Sequence, residues 1–80
     1  MVEKITFTGG NGLDVQLWLM GLRVKQRQLA DLIGLDGSTL SNIMRGYINP
    51  TEKNRADIQR GLDEIADHLN EKTAAEADKK

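Results

Sequence analysis

The sequence has no cysteine, so no disulfide framework can staple it, no thiolate can act as a nucleophile and no zinc site can use sulfur ligands. Its single histidine, His68, cannot make a metal cage alone. Long hydrophobic runs are missing as well. The longest, Leu17-Trp18-Leu19-Met20-Gly21-Leu22, has six residues, against about twenty for a helix that spans a bilayer. Met1-Val2-Glu3-Lys4 has neither the basic start nor the apolar middle of a secretory leader, and with the lack of cysteine this points to the cytoplasm. Net charge is nearly absent too. Eleven Lys and Arg against 12 Asp and Glu leave −1, which neither declares nor excludes a polyanionic partner.

What remains is 80 residues that packing alone must stabilise, enough for one small domain and no second core. Self-association is the remaining staple for so short a chain, so a homodimer is expected.

Residues 2–8, Val-Glu-Lys-Ile-Thr-Phe-Thr, are rich in β-branched and aromatic side chains and predict a short strand or extended arm that ends in the break Gly9-Gly10-Asn11-Gly12, so that residues 1–12 form the arm. The next stretch reads two ways. Leu13-Asp14-Val15-Gln16-Leu17 alternates like a strand, and Asn11-Gly12 would suit a hairpin turn. Leu13, Leu17 and Met20 also fall at helical spacing, with Asn11 as N-cap and Asp14 in the first turn. The helix is the preferred reading, because the helices that follow need a cover.

From Gln26 the periodicity is cleaner. Leu29, Ala30, Leu32 and Ile33 give a helix of about two turns an apolar face, and Gly34 ends it. Asp36 stands at an N-cap, and Leu40, Ile43 and Met44 recur at helical spacing up to Gly46. After the loop Tyr47-Ile48-Asn49-Pro50, Thr51 can cap a long last helix in which Ile58, Leu62, Ile65 and Leu69 recur, interrupted by Gly61. Residues 73–80 carry no large apolar side chain and are expected to be a disordered tail. The domain proper is then residues 13–72.

Two short helices joined by a tight turn containing glycine form a helix-turn-helix, whose second helix enters the DNA major groove. The first helix must be small where the pair crosses, the turn must open with glycine, and the inward positions must be apolar. Ala30, Gly34, and the set Leu29, Ile33, Leu35, Leu40 and Ile43 meet those demands. Leu40, Ile43 and Met44 also fix the inward side of the second helix, leaving Ser38, Ser41, Asn42 and Arg45 outward. Asparagine suits the N6 and N7 of adenine, and arginine the O6 and N7 of guanine.

The run from Gln26 to Gly46, followed by Asn49-Pro50, resembles the helix-turn-helix of phage repressor and Cro-type regulators, the xenobiotic-response-element family. The resemblance extends roughly from Leu17 to Leu62. It implies an all-α bundle of four or five helices that binds double-stranded operator DNA as a dimer and needs no cofactor. Carried over to this chain, it makes Gln26 a phosphate contact and Gly37, Ser38, Ser41, Asn42 and Arg45 the base-reading face, with Thr39 on the flank. Gly37 would allow close backbone approach to DNA. Tyr47 and Asn49 in the following loop join the expected DNA contacts, Tyr47 with the alternative of capping the core.

Charge is distributed unevenly. Residues 23–60 hold seven basic against four acidic side chains, while residues 61–80 hold three against six. The +3 segment coincides with the helix-turn-helix, and the −3 segment follows it. Lys53 and Arg55 start the last helix, where its dipole disfavours cations, which suggests phosphate contact. Ile65 and Leu69 are expected to form the dimer seam, with packing beneath the arm as the alternative.

The function expected is a nucleoid-associated transcriptional repressor of phage or mobile-element origin. The alternative is an antitoxin-like or antirepressor-like module that grips a protein partner through its acidic last helix. No enzyme is expected, since His68 has no neighbouring nucleophile and no glycine-rich phosphate cradle follows a strand.

Overall fold

The computed structural model describes residues 2–78, with side chains through residue 71. Four helices follow one another: α1 (Gly12–Gly21), α2 (Gln26–Ile33), α3 (Gly37–Met44) and α4 (Glu52–Asp78). The fold is all-α, with no strand among the described residues.

Local chemistry sets the ends of the middle helices. The Asp36 carboxylate accepts the Thr39 N–H at 3.3 Å, which caps α3, and the Thr51 hydroxyl accepts the Asn54 N–H at 3.1 Å to cap α4. Gln28 accepts the Lys25 N–H at 2.8 Å at the start of α2. Gly34 and Gly46 end α2 and α3 with φ of +71° and +81°, values glycine reaches without a Cβ clash. Each is closed by a second hydrogen bond one residue on, from Leu35 N–H to Ala30 O at 2.9 Å and from Tyr47 N–H to Asn42 O at 2.9 Å.

Val15 and Leu19 of α1, Leu29, Ala30 and Ile33 of α2, Leu40, Ile43 and Met44 of α3, and Ile58 and Leu62 of α4 form one core with Phe7 from the arm. Ile5, Trp18, Val24, Leu35 and Ile65 pack around it. Two glycines let helices approach closely. A Cβ at Gly61 would meet Ile33 Cγ2 at 2.6 Å and Leu29 Cδ1 at 2.7 Å, and one at Gly12 would meet the Met44 carbonyl oxygen at 2.2 Å.

Four sequence expectations need correction. First, α1 buries the opposite face from the one expected: Leu13, Leu17 and Met20 are 66%, 56% and 69% exposed, while Gly12, Val15 and Leu19 point inward. Both faces of α1 are apolar, so periodicity alone could not choose between them. Second, Leu32, expected on the inner face of α2, is 46% exposed. Third, Asn11 sits before α1 but its side chain does not cap it. It turns to the arm instead, accepting from Thr8 N–H at 2.9 Å and donating to Thr6 O at 2.8 Å. Fourth, the helical backbone of α4 runs on to Asp78, past Lys72. Ala74, Ala75 and Ala77 are strong helix formers, and extending a helix needs no new nucleus. Residues 79 and 80 lie outside the described residues.

The segment before α1 is an extended arm. It lies antiparallel to α4, clamped at both ends by side-chain amides. Asn70 accepts from Val2 N–H at 2.7 Å and donates to Val2 O at 3.1 Å. Gln59 accepts from Phe7 N–H at 2.7 Å and donates to Ile5 O at 2.9 Å. Each amide therefore supplies the donor and acceptor that a neighbouring strand would offer. The spacing fits, since eleven helical residues and five extended ones both span about 16 Å. Trp18 Nε1 donates to Glu3 O at 3.0 Å, and Lys4 pairs with Asp67 at 3.3 Å.

Candidate nucleic-acid interface

Helix α3 is anchored on one side and open on the other. Leu40, Ile43 and Met44 are buried, which fixes the rotation of the helix about its axis. That rotation leaves Gly37, Ser38 and Arg45 exposed, with Thr39, Ser41 and Asn42 half-buried along the flank. Among the described residues, the side chains of Ser38, Ser41, Asn42 and Arg45 make no hydrogen bond or ion pair, so their donors and acceptors remain available to a ligand. The Asn42 backbone carbonyl, by contrast, is engaged by the Tyr47 N–H. Gly37 has open space where a side chain would stand, so the protein itself does not require glycine there.

Gln26 begins α2 and reaches the same surface. With Ser41 and Arg45 it lines a cleft of about 590 Å³ between the end of α1, the start of α2 and α3. Gln16, Met20, Arg23 and Lys25 also line it. Three cations, Arg23, Lys25 and Arg45, thus share a cleft whose lining includes no carboxylate. Arg23 and Lys25 count toward the positive segment of the sequence but were not expected as contacts. The signal available for them is the basic pair immediately ahead of Gln26.

The remaining expected contacts lie outside this cleft. Tyr47 is 74% exposed, so it does not cap the core. Asn49 is exposed in the same loop. Lys53 is exposed and paired with Asp57 at 3.3 Å, which gives it a role within α4. Arg55 is exposed, and its side chain passes the Gly9 turn, 3.3 Å from where a Cβ would stand.

Ile65 and Leu69 are half-buried. Ile65 packs against the core. Together with Val24 and Leu32, the two line a largely apolar groove of about 440 Å³ between α2 and α4, with Gln28, Glu64 and His68 at its rim. No helix among the described residues is long and apolar enough to cross a membrane.

A polar helix held outward by its own apolar side, preceded by a second short helix and a glycine turn, defines a helix-turn-helix reader of DNA. The helix-turn-helix family of Cro/C1 type matches residues 21–74, and the chain belongs to it. It is accordingly a DNA-binding transcription regulator. No curated protein and no solved structure matches the chain significantly.

Proposed function

We propose that the protein is a sequence-specific repressor that binds a palindromic operator as a homodimer, with α3 in the major groove of each half-site. The observation that carries this reading is the row Ser38, Ser41, Asn42 and Arg45, whose side-chain hydrogen-bonding groups have no partner among the described residues. Asn42 and Arg45 supply the strongest discrimination, about 1–3 kcal/mol for each good bidentate pair. The serines discriminate less, because a rotating hydroxyl donates or accepts. Gly37 admits the DNA backbone, while Gln26, Thr39, Tyr47, Asn49, Lys53 and Arg55 contact phosphates and set the register.

The groove of Val24, Leu32, Ile65 and Leu69 supports a dimer seam. None of its lining residues lies on α3, so covering it leaves the reading face open. Two copies would then present recognition helices to half-sites one DNA turn apart, about 34 Å. Occupying a promoter is enough for repression, which fits a soluble cytoplasmic protein acting without a cofactor.

The alternative, a protein-binding module gripping through the acidic last helix, draws less support. Asp67 pairs with Lys4, and Asp63 accepts from Gln59 at 3.0 Å, so two of its acids serve the chain's own arm and helix.

Selection of bound sequences from random duplexes at fixed salt tests the proposal. The expected result is a palindromic consensus, with affinity falling steeply as salt rises. Asn42→Ala should lower operator affinity by about 1–3 kcal/mol at particular base positions. Equal affinity for every duplex, or no change with Asn42→Ala, refutes the reading; a consensus without symmetry refutes the dimer.

A further inference from the structure

Helix α1 ends in the same doubly hydrogen-bonded turn as α2 and α3. Arg23 N–H donates to Met20 O at 3.0 Å and Val24 N–H donates to Leu19 O at 2.9 Å. The residue at the left-handed position differs, however. Where α2 and α3 place Gly34 and Gly46, α1 places Arg23 with φ of +59°, the only non-glycine residue of positive φ among the described residues. An arginine Cβ is strained in that region and glycine is not. Nothing in the fold compensates, since Arg23 is exposed and forms no ion pair among the described residues. Strain that persists without internal benefit points to a role outside the fold.

The side chain stands at the rim of the cleft that also holds Lys25, Gln26, Ser41 and Arg45. We propose that Arg23 is a phosphate-binding residue of the operator complex, gripping the DNA backbone beside the groove that α3 enters. The proposal rests on the DNA-binding reading above. It also accounts for arginine here, because a guanidinium binds a phosphate through two parallel N–H donors. A phosphate contact carries no base information, so Arg23 contributes equally on every sequence.

The test compares Arg23→Gly and Arg23→Lys with the wild-type chain, on the selected operator and on a scrambled duplex. Arg23→Gly removes both the strain and the contact, so the two readouts should move apart. Affinity for both duplexes should fall about tenfold, and the slope of log affinity against log salt should shrink by about one. The Tm should stay equal to or rise above the wild-type value. Arg23→Lys should retain most of the salt slope. Unchanged affinity and slope in Arg23→Gly, while the wild-type chain binds, would overturn the role of Arg23 alone. So would an affinity loss accompanied by a lower Tm and not rescued by Arg23→Lys. A wild-type chain that binds no duplex overturns the DNA-binding reading and this proposal with it.

Discussion

A single methyl group added at Gly12 tests how α1 is seated against the end of α3. Gly12 is the first residue of α1 and its φ is not positive, so alanine is conformationally acceptable there. Propensity alone therefore predicts that Gly12→Ala stabilises the chain, by at most about 1 kcal/mol. Sterics predict the opposite. The new Cβ would lie 2.2 Å from the Met44 carbonyl oxygen, 2.7 Å from its Cα and 2.8 Å from its carbonyl carbon, and backbone atoms cannot swing aside as a side-chain tip can. Carbon and oxygen need about 3.3 Å, so α1 must retreat from α3 by about 1 Å. A gap of that size forfeits roughly a quarter to a half of the attraction between the separated surfaces. Val15 and Leu19 are the buried side chains that α1 turns to the core. At roughly 1.5–3 kcal/mol each for full burial, their loss amounts to about 1–3 kcal/mol, in line with measured costs of overpacking. For a domain of this size, that is a fall in Tm of roughly 5–20 °C. Gly21→Ala is the matched control, being in the same helix with nothing within 4 Å of its added Cβ. Thermal unfolding followed by far-ultraviolet circular dichroism should show Gly12→Ala melting well below wild type and Gly21→Ala at or above it. If Gly12→Ala melts with or above Gly21→Ala, the close contact between α1 and α3 is wrong.

Three further substitutions probe which face of α1 is buried and what holds the arm. Leu17→Gln, on the exposed face of α1, should change stability by no more than about 0.5 kcal/mol, whereas Leu19→Ala on the buried face should cost about 2–5 kcal/mol; urea denaturation giving comparable losses for both would reverse the assigned face. Gln59→Ala removes the amide that holds both Ile5 O and Phe7 N–H, so about 1–3 kcal/mol should be lost and the Phe7 amide should exchange with deuterium faster than those of α2. Undisturbed Phe7 protection would mean that the arm is held by packing of its ring alone.

How much was legible in the sequence depended on how local the cause was. The helix-turn-helix was legible because its determinants are neighbours in the chain. Asp36 caps a helix that begins one residue later, Gly34 and Gly46 end helices beside them, and Leu40, Ile43 and Met44 give α3 one apolar side. The outward row from Ser38 to Arg45 follows from that one-sidedness, which is why the candidate reading face was visible in advance. Helix α1 resisted the same treatment, because Leu13, Leu17 and Met20 on one side rival Val15, Leu19 and Leu22 on the other.

Pairings between distant residues were not legible at all. Gln59 and Asn70 look like ordinary polar residues on a helix until the arm is laid against them. Gly61 reads as a flaw in α4, yet a side chain there would strike Leu29 and Ile33. The cleft residues Arg23 and Lys25 are loop cations until folding sets them beside Arg45.

By itself, then, the sequence determined the helical class, the turn and the polar face of α3, since hydrogen-bond capping and helical periodicity act over a few residues. The tertiary structure decided which side of α1 is buried, what holds the arm, and which cations share the cleft. Those outcomes depend on the spacing between surfaces brought together from distant parts of the chain, and spacing exists only once the chain has packed.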